Sequence, residues 1–356
     1  MTLSTKINTG RFFEDFVLNE VIQHATPRTI SAGDCALYIA LTGERNPLHC
    51  SEPFAQSLGY KTTPVDDLLA FHIAFGKTVP DISVNAIANL GYADARFLQP
   101  AFVGDTLSTS SQVIGLKQNS NGKSGVVWVR STAVNQHGEP VLSWVRWVMV
   151  HKNNMDEPAP ETVIPELPSF VAPENLNIPA YFSVKNFDKK ATGGQHFWED
   201  YQVGERINHA AGMTINPAEH ALATRLYQNN ARLHFDEHLM RASSFGQRLV
   251  YGGVVISLCR ALSHEGLENA LSILAINAGT HANPSFAGDT IYTLTEILDS
   301  WTLPNHTGIG ALRLRMVGIK NMPPNEITEI KTNGIYHQNI VLDLDYTVAL
   351  PRKGNE

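Results

Sequence analysis

The sequence predicts an α+β protein made of two similar domains, each with an antiparallel sheet wrapped around a helix. Residues 12–52 of the 356-residue chain align without a gap onto residues 197–237, an offset of 185 positions. A proline-rich segment lies between the two copies. In each copy, helical patterns come first and strand patterns follow, an order typical of α+β domains. A chain of this length can bury two cores of ordinary domain size.

The internal repeat is clear at both ends of the predicted domain. Phe12–Phe16 aligns with Phe197–Tyr201, and a later match with an offset of 184 pairs Pro100–Thr106 with Pro284–Thr290. A period this long is not that of a solenoid protein. We therefore interpret the chain as two copies of one domain. Positions at which the copies differ should then indicate which copy does which task.

The segment between the copies is predicted to be a linker. Residues 156–179 contain six prolines among acidic and small residues, and such a composition favours an extended connector with few ladder hydrogen bonds. The sequence thus predicts an N-terminal domain over residues 1–155, a linker over 156–190 and a C-terminal domain over 191–356.

Helix signals occur at equivalent places in the two copies. Ser31 is followed three residues later by Asp34, and Asn216 by Pro217 and Glu219, a pattern typical of helix N-termini. More apolar helical segments follow in both copies. The helices predicted in this way cover residues 36–41, 68–75, 221–227 and 254–262.

Strand signals close each copy. Val126–Arg130, Val141–Val150 and Val341–Leu350 alternate or run apolar and are rich in β-branched and aromatic residues. Asn135–Gly138 has the composition of a hairpin turn. We therefore expect a run of antiparallel strands after the helices of each copy.

Composition narrows the class of function. A net charge of -7 argues against nucleic acid or an anionic membrane as partner, because both favour basic surfaces. The first residues do not resemble a signal peptide and no apolar run is long enough to span a membrane, so we expect a cytoplasmic protein. Cys35, Cys50 and Cys259 lack metal-type spacing and are expected to be reduced, with no metal site.

One loop of the first copy carries residues suited to acid–base chemistry. Glu44 and His49 lie five positions apart around Asn46 and Pro47, directly after a predicted helix. A tight loop of this kind can aim a carboxylate and an imidazole at one water molecule, so that either group takes a proton while the other donates one. A Glu/His pair alone is common on surface loops, but the flanking Gly43, Asn46 and Pro47 make the pattern more specific.

This loop resembles that of the MaoC-like hydratase/dehydratase family, which reads roughly Gly-Asp-x-Asn-Pro-Leu-His-x-Asp-Pro. The resemblance covers both copies, including Gly-Asp-Thr at residues 104–106 and 288–290. It implies a tandem double hot-dog fold. It also implies that the acid and histidine activate water for addition to a trans-2-enoyl-CoA, or for the reverse elimination. A backbone N–H at a helix N-terminus would hold the thioester oxygen as negative charge develops on it.

The first copy departs from the family pattern at two places. Glu44 stands where the family has Asp, which retains the chemistry on a longer side chain. Asp66 and Asp67 stand where the helix should begin with His-Gly, and Asp67 would place a negative charge beside the oxyanion. This departure weighs against the first copy as the working site, although Glu44, His49 and Asn46 keep the loop pattern.

The second copy departs from the pattern in the opposite way. It keeps His234 and Asp236 but has Asn229 at the acid position, and its helix begins after Tyr251 with Gly252 and Gly253. The glycines allow close approach of a ligand to a helix N-terminus. The resemblance therefore favours a site in the second half. There His234 would be general acid/base, Asn229 would orient water or carbonyl, and Gly252 or Gly253 would be the oxyanion donor. The further catalytic candidates are Asp236, Glu44 and His49, and the further substrate-binding candidates are Tyr251 and Asn46.

Within the family, the chain resembles the mesaconyl-CoA hydratase branch most. The stretches that carry this resemblance are residues 24–30, 66–69, 75–82, 89–92, 223–229, 249–253 and 310–315. The family substrate is a branched C5 dicarboxylic mono-thioester, whose free carboxylate needs a cation. Arg232 and Arg248 are the candidates, since arginine binds carboxylates bidentately. In this branch the second half carries the histidine and the first half lacks it, so the retained His49 departs from the resemblance.

The resemblance predicts reversible hydration of mesaconyl-CoA to β-methylmalyl-CoA, with acyl-CoA as partner and no metal or redox cofactor. The sequence is compatible with a homo-oligomer. Three alternatives stay open: a thioesterase on the same fold, a hydratase for simple fatty enoyl-CoA, and a non-catalytic acyl-CoA-binding protein. His24 and His209 also recur between the copies, but without an acid or glycine context, and are interpreted as structural.

Overall fold

The computed structural model describes residues 6–303 and 305–354. Both halves contribute strands to one antiparallel sheet, which within these residues contains twelve strands. The first half supplies β1 (Val21–Gln23), β2 (Arg28–Thr29), β3 (Ala86–Phe97), β4 (Thr106–Gln118), β5 (Ser124–Val134) and β6 (Pro140–His151). The second half supplies β7 (Arg206–Asn208), β8 (Met213–Thr214), β9 (Ile273–His281), β10 (Thr290–Thr302), β11 (Ile309–Lys320) and β14 (Ile340–Pro351). A separate ribbon pairs β12 (Lys331–Thr332) with β13 (Ile335–Tyr336).

The strand order shows how the two halves join. It runs β1-β4-β5-β6-β3-β9-β14-β11-β10-β7, with β2 beside β4 and β8 beside β10. The halves meet where β3 pairs antiparallel with β9, in a register that sets Tyr92 opposite Gly279 and Arg96 opposite Ala275. The sheet is therefore continuous, and residues on β3 and β9 of opposite halves lie side by side.

Helices form where the sequence predicts them. The structure contains α1 (Ala32–Thr42), α2 (Pro47–Cys50), α3 (Glu52–Ser57), α4 (Asp67–Ile82), α5 (Lys189–Thr192), α6 (Pro217–Leu226), α7 (Glu237–Arg241) and α8 (Gly252–Leu262). At α1, the Asp34 side chain accepts from the Ser31 N–H at 2.8 Å, and Ser31 Oγ accepts from the Asp34 N–H at 3.2 Å. This reciprocal pair confirms the predicted capping box. The predicted strands are also confirmed, within β5, β6 and β14.

The helices α4 and α8 form the centre of the core. Most of their residues are buried in one hydrophobic cluster that spans both halves. They meet where His72 Nε2 lies 3.1 Å from Ser257 Oγ. At Gly76, a Cβ atom would lie 1.9 Å from the carbonyl oxygen of Tyr227, so the absence of a side chain lets α4 approach the end of α6. The first-half helix thus packs directly against the elements that carry the second-half loop.

The proline-rich segment packs against the domains rather than hanging free. Val163 and Leu116 exchange backbone hydrogen bonds of 2.9 Å, and the Ser183 N–H donates to the Leu58 carbonyl at 3.0 Å. Phe182 is buried in a cluster with first-half side chains. No named strand lies within residues 156–190, and Val163 forms an isolated bridge with Leu116. The boundaries proposed at 155 and 190 stay a prediction.

The sequence also predicts reduced cysteines, no metal site and no membrane-spanning segment. Cys35, Cys50 and Cys259 are all free cysteines. The described part of the chain contains no group of three metal-binding side chains and no helix long and apolar enough to cross a membrane.

Candidate active site

Each half holds its loop histidine in the same way. The Nδ1 atom of His49 lies 3.3 Å from the Pro64 carbonyl, and the Nδ1 atom of His234 lies 3.0 Å from the Leu249 carbonyl. A carbonyl can only accept, so Nδ1 carries the proton in both rings and Nε2 of the neutral ring is the acceptor. Both imidazoles are therefore oriented as general bases.

The residues at the acid positions also occupy equivalent places. Glu44 Oε1 accepts the Asn46 N–H at 2.6 Å, and Asn229 Oδ1 accepts the Ala231 N–H at 3.0 Å. Asn229 is buried, and its Nδ2 remains as a hydrogen-bond donor. An amide cannot exchange protons as a carboxyl group does. Of the two residues at the acid and histidine positions of the second half, His234 can therefore exchange a proton, whereas Asn229 can only orient a ligand.

The two central helices begin differently. In α4, Asp66 Oδ1 accepts the N–H groups of Leu68 at 2.9 Å and Leu69 at 3.2 Å. In α8, Tyr251 takes the capping position and no side chain caps the first turn. The N-terminal N–H groups of a helix attract negative charge. Two of those of α4 are therefore occupied by Asp66, whereas in α8 the Val254 N–H donates to the Tyr251 carbonyl at 2.9 Å and the Gly252 and Gly253 N–H groups have no side-chain acceptor among the described residues.

A carboxylate fills the first-half site. Asp67 Oδ2 accepts the Ile273 N–H at 2.8 Å and lies 3.9 Å from His49 Nε2. Burial raises the pKa of Asp67 to about 6, although the nearby His49 favours its ionised form. The Asp67 side chain therefore lies beside His49, and its proposed effect on an oxyanion stays a prediction.

Glu44 belongs to a buried charge cluster. It is 5% exposed and Arg260, from α8, is 4% exposed. Burial opposes ionisation of Glu44, but Arg260 and the Asn46 backbone N–H outweigh it and hold its pKa below the ordinary value. Glu44 thus has a structural partner that its loop position alone does not indicate.

The spaces beside the two histidines differ greatly in size. The cavity beside His49 and Asp67 has a volume of about 30 Å³, little more than a water molecule needs. The cleft beside His234 has a volume of about 500 Å³, within the range of small-molecule sites. We call the latter the His234 cleft. Its lining residues include Phe75, Ser83, Asn89, Tyr92, Arg146, Asn229, His234, Tyr251, Gly252 and His281.

The electrostatics of the cleft favour a neutral imidazole. Burial lowers the pKa of His234 to about 4, and burial lowers the pKa of His281 to about 4 as well. His281 Nε2 lies 3.1 Å from the Tyr92 hydroxyl, across the junction of β3 and β9. At neutral pH both rings are uncharged, so His234 can accept a proton.

The two glycines at the start of α8 are required by close packing. A Cβ at Gly252 would lie 2.3 Å from Cε1 of His281, and a Cβ at Gly253 would lie 2.4 Å from Cε1 of Tyr251. Gly252 also lines the His234 cleft. The position therefore combines tight packing with exposure of the helix N-terminus to the cleft.

The other predicted second-half residues divide into two groups. Tyr251 lines the cleft, and its ring centroid is 5.5 Å from that of His234. Asp236 is exposed and accepts the Leu239 N–H at 2.9 Å as the N-cap of α7. Its proposed catalytic role stays a prediction.

The predicted arginines and Asn46 lie outside the cleft lining. Arg248 Nε donates to Glu237 Oε2 at 3.0 Å, and Arg232 is exposed. Asn46 Nδ2 donates to two backbone carbonyls, of Ala270 and Leu271, at 3.2 Å each. Their proposed roles in substrate binding also stay predictions, and for Asn46 these contacts favour a structural role.

Sequence reasoning missed the contribution of the first half to the His234 cleft. Asn89, Tyr92 and Arg146 come from β3 and β6, across the junction between the halves. One signal was present in the sequence: Arg146 is the single charge within the apolar strand Val141–Val150. On a strand, alternate residues share a face, so a lone charge among inward apolar residues marks a site worth testing.

The fold and the paired histidine loops define a double hot-dog protein. A double-hotdog protein from Mycobacterium tuberculosis is 25% identical with a TM-score of 0.75, and the match covers 97% of this chain and 99% of that chain. Residues 15–135 match the MaoC like domain.

The chain belongs to the MaoC-like dehydratase family. It is 56% identical to Beta-methylmalyl-CoA dehydratase from Chloroflexus aurantiacus, over 99% of this chain and 100% of the relative. It is 53% identical to Mesaconyl-CoA hydratase from Cereibacter sphaeroides, over 98% of this chain and 100% of the relative. The crystal structure of a MaoC domain protein from C. aurantiacus has a TM-score of 0.96 at 56% identity, covering 99% of this chain and 100% of that chain.

Proposed function

We propose that the protein catalyses reversible hydration of an α,β-unsaturated acyl-CoA thioester at the His234 cleft. One observation carries this proposal: a roomy cleft contains a buried neutral histidine and the uncapped N-terminus of α8. The equivalent place in the first half is nearly filled and contains Asp67. This contrast supports one working site rather than the two that the repeat suggests.

His234 would move the proton. Its Nε2 takes a proton from water as the water oxygen bonds to the β-carbon of the enoyl thioester, and the imidazolium then returns a proton to the α-carbon. Dehydration is the reverse. Asn229 would orient the water through its Nδ2, because Oδ1 is held by the Ala231 N–H.

The start of α8 would stabilise the enolate. Negative charge develops on the thioester oxygen during addition, and the N–H groups of Gly252 and Gly253 lie at a helix N-terminus that no side chain caps. Fixed donors of this kind act without reorganisation at the moment of reaction. The proposed reaction needs no metal and no redox cofactor, since CoA arrives as part of the substrate.

The proposed substrate is mesaconyl-CoA, hydrated to β-methylmalyl-CoA. The support is the pair of relatives named for these compounds, which align over nearly all of this chain. The residues that line the His234 cleft come from both halves of the chain.

A panel of enoyl-CoA thioesters tests the function. Mesaconyl-CoA and crotonyl-CoA are incubated with the protein, and products are analysed by mass for a gain of one water. We expect that gain with mesaconyl-CoA, with slower conversion of crotonyl-CoA. Release of free thiol, detected with a thiol reagent, would identify a thioesterase instead, and tight binding with no product from any thioester would identify a binding protein.

A further inference from the structure

Arg146 is a buried cation on the inward face of β6. It is 1% exposed, and its strand neighbours on that face, Trp144 and Val148, are fully buried. Its guanidinium carbon lies 4.3 Å from the centre of the Phe75 ring. Placing a charge here is costly unless other groups compensate for the lost water.

The protein provides little compensation for this charge. Arg146 Nη2 donates to Thr78 Oγ1 at 2.8 Å, and both Nη atoms lie 3.4 Å from Ser83 Oγ. Its Nε has no hydrogen-bond partner. No carboxylate among the described residues forms an ion pair with it. Within the described residues, the five N–H donors of the Arg146 guanidinium therefore have two hydroxyl acceptors, those of Thr78 and Ser83.

A nearby arginine shows the usual arrangement. Arg130, on the adjacent strand β5, donates from Nη2 to Asp94 Oδ2 at 2.8 Å, and its side chain is 35% exposed. The half-exposed arginine thus has a protein carboxylate, whereas the buried Arg146 has none. This contrast indicates that the described residues do not supply an anion for Arg146.

The surroundings of Arg146 identify where that anion would come from. Arg146 lines the His234 cleft, and the described residues that line it include no Asp or Glu. Neighbouring aromatic rings of the lining contact both groups: Phe75 contacts Arg146 and lies 6.0 Å from Tyr251, whose ring lies 5.5 Å from His234. With His234 and His281 uncharged at neutral pH, the cleft lining combines a buried guanidinium with a neutral general base.

We propose that Arg146 binds the free carboxylate of a dicarboxylic mono-thioester and so selects acidic enoyl-CoA substrates over neutral ones. A carboxylate fits two parallel N–H donors of a guanidinium, and the surrounding apolar walls strengthen the pair. Arg248 is less suited because Glu237 already occupies it. The assignment rests on the proposed function for placing the thioester beside His234.

Substitution of Arg146 tests the proposal through substrate preference. In Arg146→Met, kcat/KM for mesaconyl-CoA should fall about 100-fold or more, whereas kcat/KM for crotonyl-CoA should change less than threefold. Arg146→Lys keeps the charge without the fork, so its loss should be smaller. Arg130→Met is the matched control and should leave the preference for mesaconyl-CoA unchanged. Equal losses on both thioesters, or an unchanged preference in Arg146→Met, would overturn the proposal.

A binding measurement separates this proposal from the proposed function. Calorimetry compares 2-methylsuccinyl-CoA with 2-methylbutanoyl-CoA, two saturated thioesters that differ in the free carboxylate. The wild-type protein should bind the acidic thioester more tightly. Arg146→Met should lose most of this difference in affinity, and Arg146→Lys should lose part of it. If the wild-type protein adds water to none of the thioesters, the proposed reaction is wrong. The calorimetric comparison would still decide whether Arg146 binds the free carboxylate, because it requires no turnover. A difference that persists in both variants would overturn the proposed role of Arg146.

Discussion

The carboxylate of Asp67 lies 3.9 Å from Nε2 of His49. In the second half, the position 185 residues later is Gly252, which has no side chain and borders an open cleft. The space beside the histidine is thus occupied by the Asp67 carboxylate in the first half, whereas in the second half it is an open cleft. Since both histidines are held by equivalent carbonyls, the difference between the halves lies at the helix N-terminus rather than at the imidazole.

We predict that His234→Ala lowers kcat for hydration of mesaconyl-CoA by about 100- to 10,000-fold, because the group proposed to move the proton is lost. His49→Ala should change kcat less than threefold, because Asp67 and the small cavity exclude substrate from His49. Initial rates follow the loss of enoyl-thioester absorbance. Circular dichroism establishes that both variants are folded.

The comparison of the two histidine variants decides which half catalyses. Full activity in His234→Ala with a large loss in His49→Ala would show that the site is in the first half. Comparable losses in both variants, with both folded, would show that the two halves act together.

We predict that the rate of hydration is nearly independent of pH from 5 to 8. Burial lowers the pKa of His234 to about 4, so the ring is neutral and basic throughout this range. The rate should fall only as the pH approaches that value, where His234 becomes protonated. A pH profile of kcat/KM provides the measurement. An apparent pKa near 6.5, the ordinary value for histidine, would contradict the proposed environment of His234.

We predict that Asp67→Asn stabilises the protein at neutral pH but not in acid. Burial raises the pKa of Asp67 from 3.8 to about 6, so the folded state holds a proton that the unfolded state releases between these values. The stability contributed by this proton is present below pH 3.8 and is lost as pH rises through 6. The uncharged amide of the Asp67→Asn variant keeps an acceptor for the Ile273 N–H without that loss.

The gain in the free energy of unfolding should be about 1–3 kcal/mol at pH 8 and near zero close to pH 4. Denaturant unfolding of the wild type and Asp67→Asn at both pH values measures it. Ser31→Ala, which removes a cap of α1 without a titrating group, is the control and should cost a similar amount at both pH values. A gain for Asp67→Asn that does not depend on pH would show that ionisation of Asp67 is not the cause.

The sequence predicts the duplicated fold because the offset of 185 residues preserves both the capping signals and the histidine loops. The capping box of Ser31 and Asp34 and the loop around His234 depend on residues close in sequence, so a local pattern suffices. The cleft depends on the pairing of β3 with β9, which joins Tyr92 to Gly279 across 187 residues. No local pattern indicates that contact, and β3 itself is irregular, with three register shifts against β6.

The arginine that would bind the substrate carboxylate is also hard to identify from local sequence. Arg232 and Arg248 are near the second-half motif in sequence, yet Arg248 pairs with Glu237 and Arg232 is exposed. Arg146 is 88 residues before His234 in the chain and lines the same cleft. Distance along the chain is a poor guide to a site built across a domain junction.

We predict that Gly252→Ala lowers kcat/KM at least tenfold, because the added Cβ would lie 2.3 Å from Cε1 of His281 at the start of α8. The helix or His281 must shift, and the backbone donors proposed for the oxyanion shift with them. Overpacking should also lower the free energy of unfolding by about 1–3 kcal/mol. Gly318→Ala is the matched control, since its Cβ would lie 2.8 Å from Cys259 Sγ and neither of these two residues lines the cleft.

Kinetics and denaturant unfolding of both glycine variants separate the two effects of the substitution. Both variants should lose stability, because each adds a methyl group to a position without room for it. Only Gly252→Ala should lose activity under conditions in which both are fully folded, since only Gly252 adjoins the proposed thioester oxygen. Equal activity in the two variants would place the oxyanion donors elsewhere than at the N-terminus of α8.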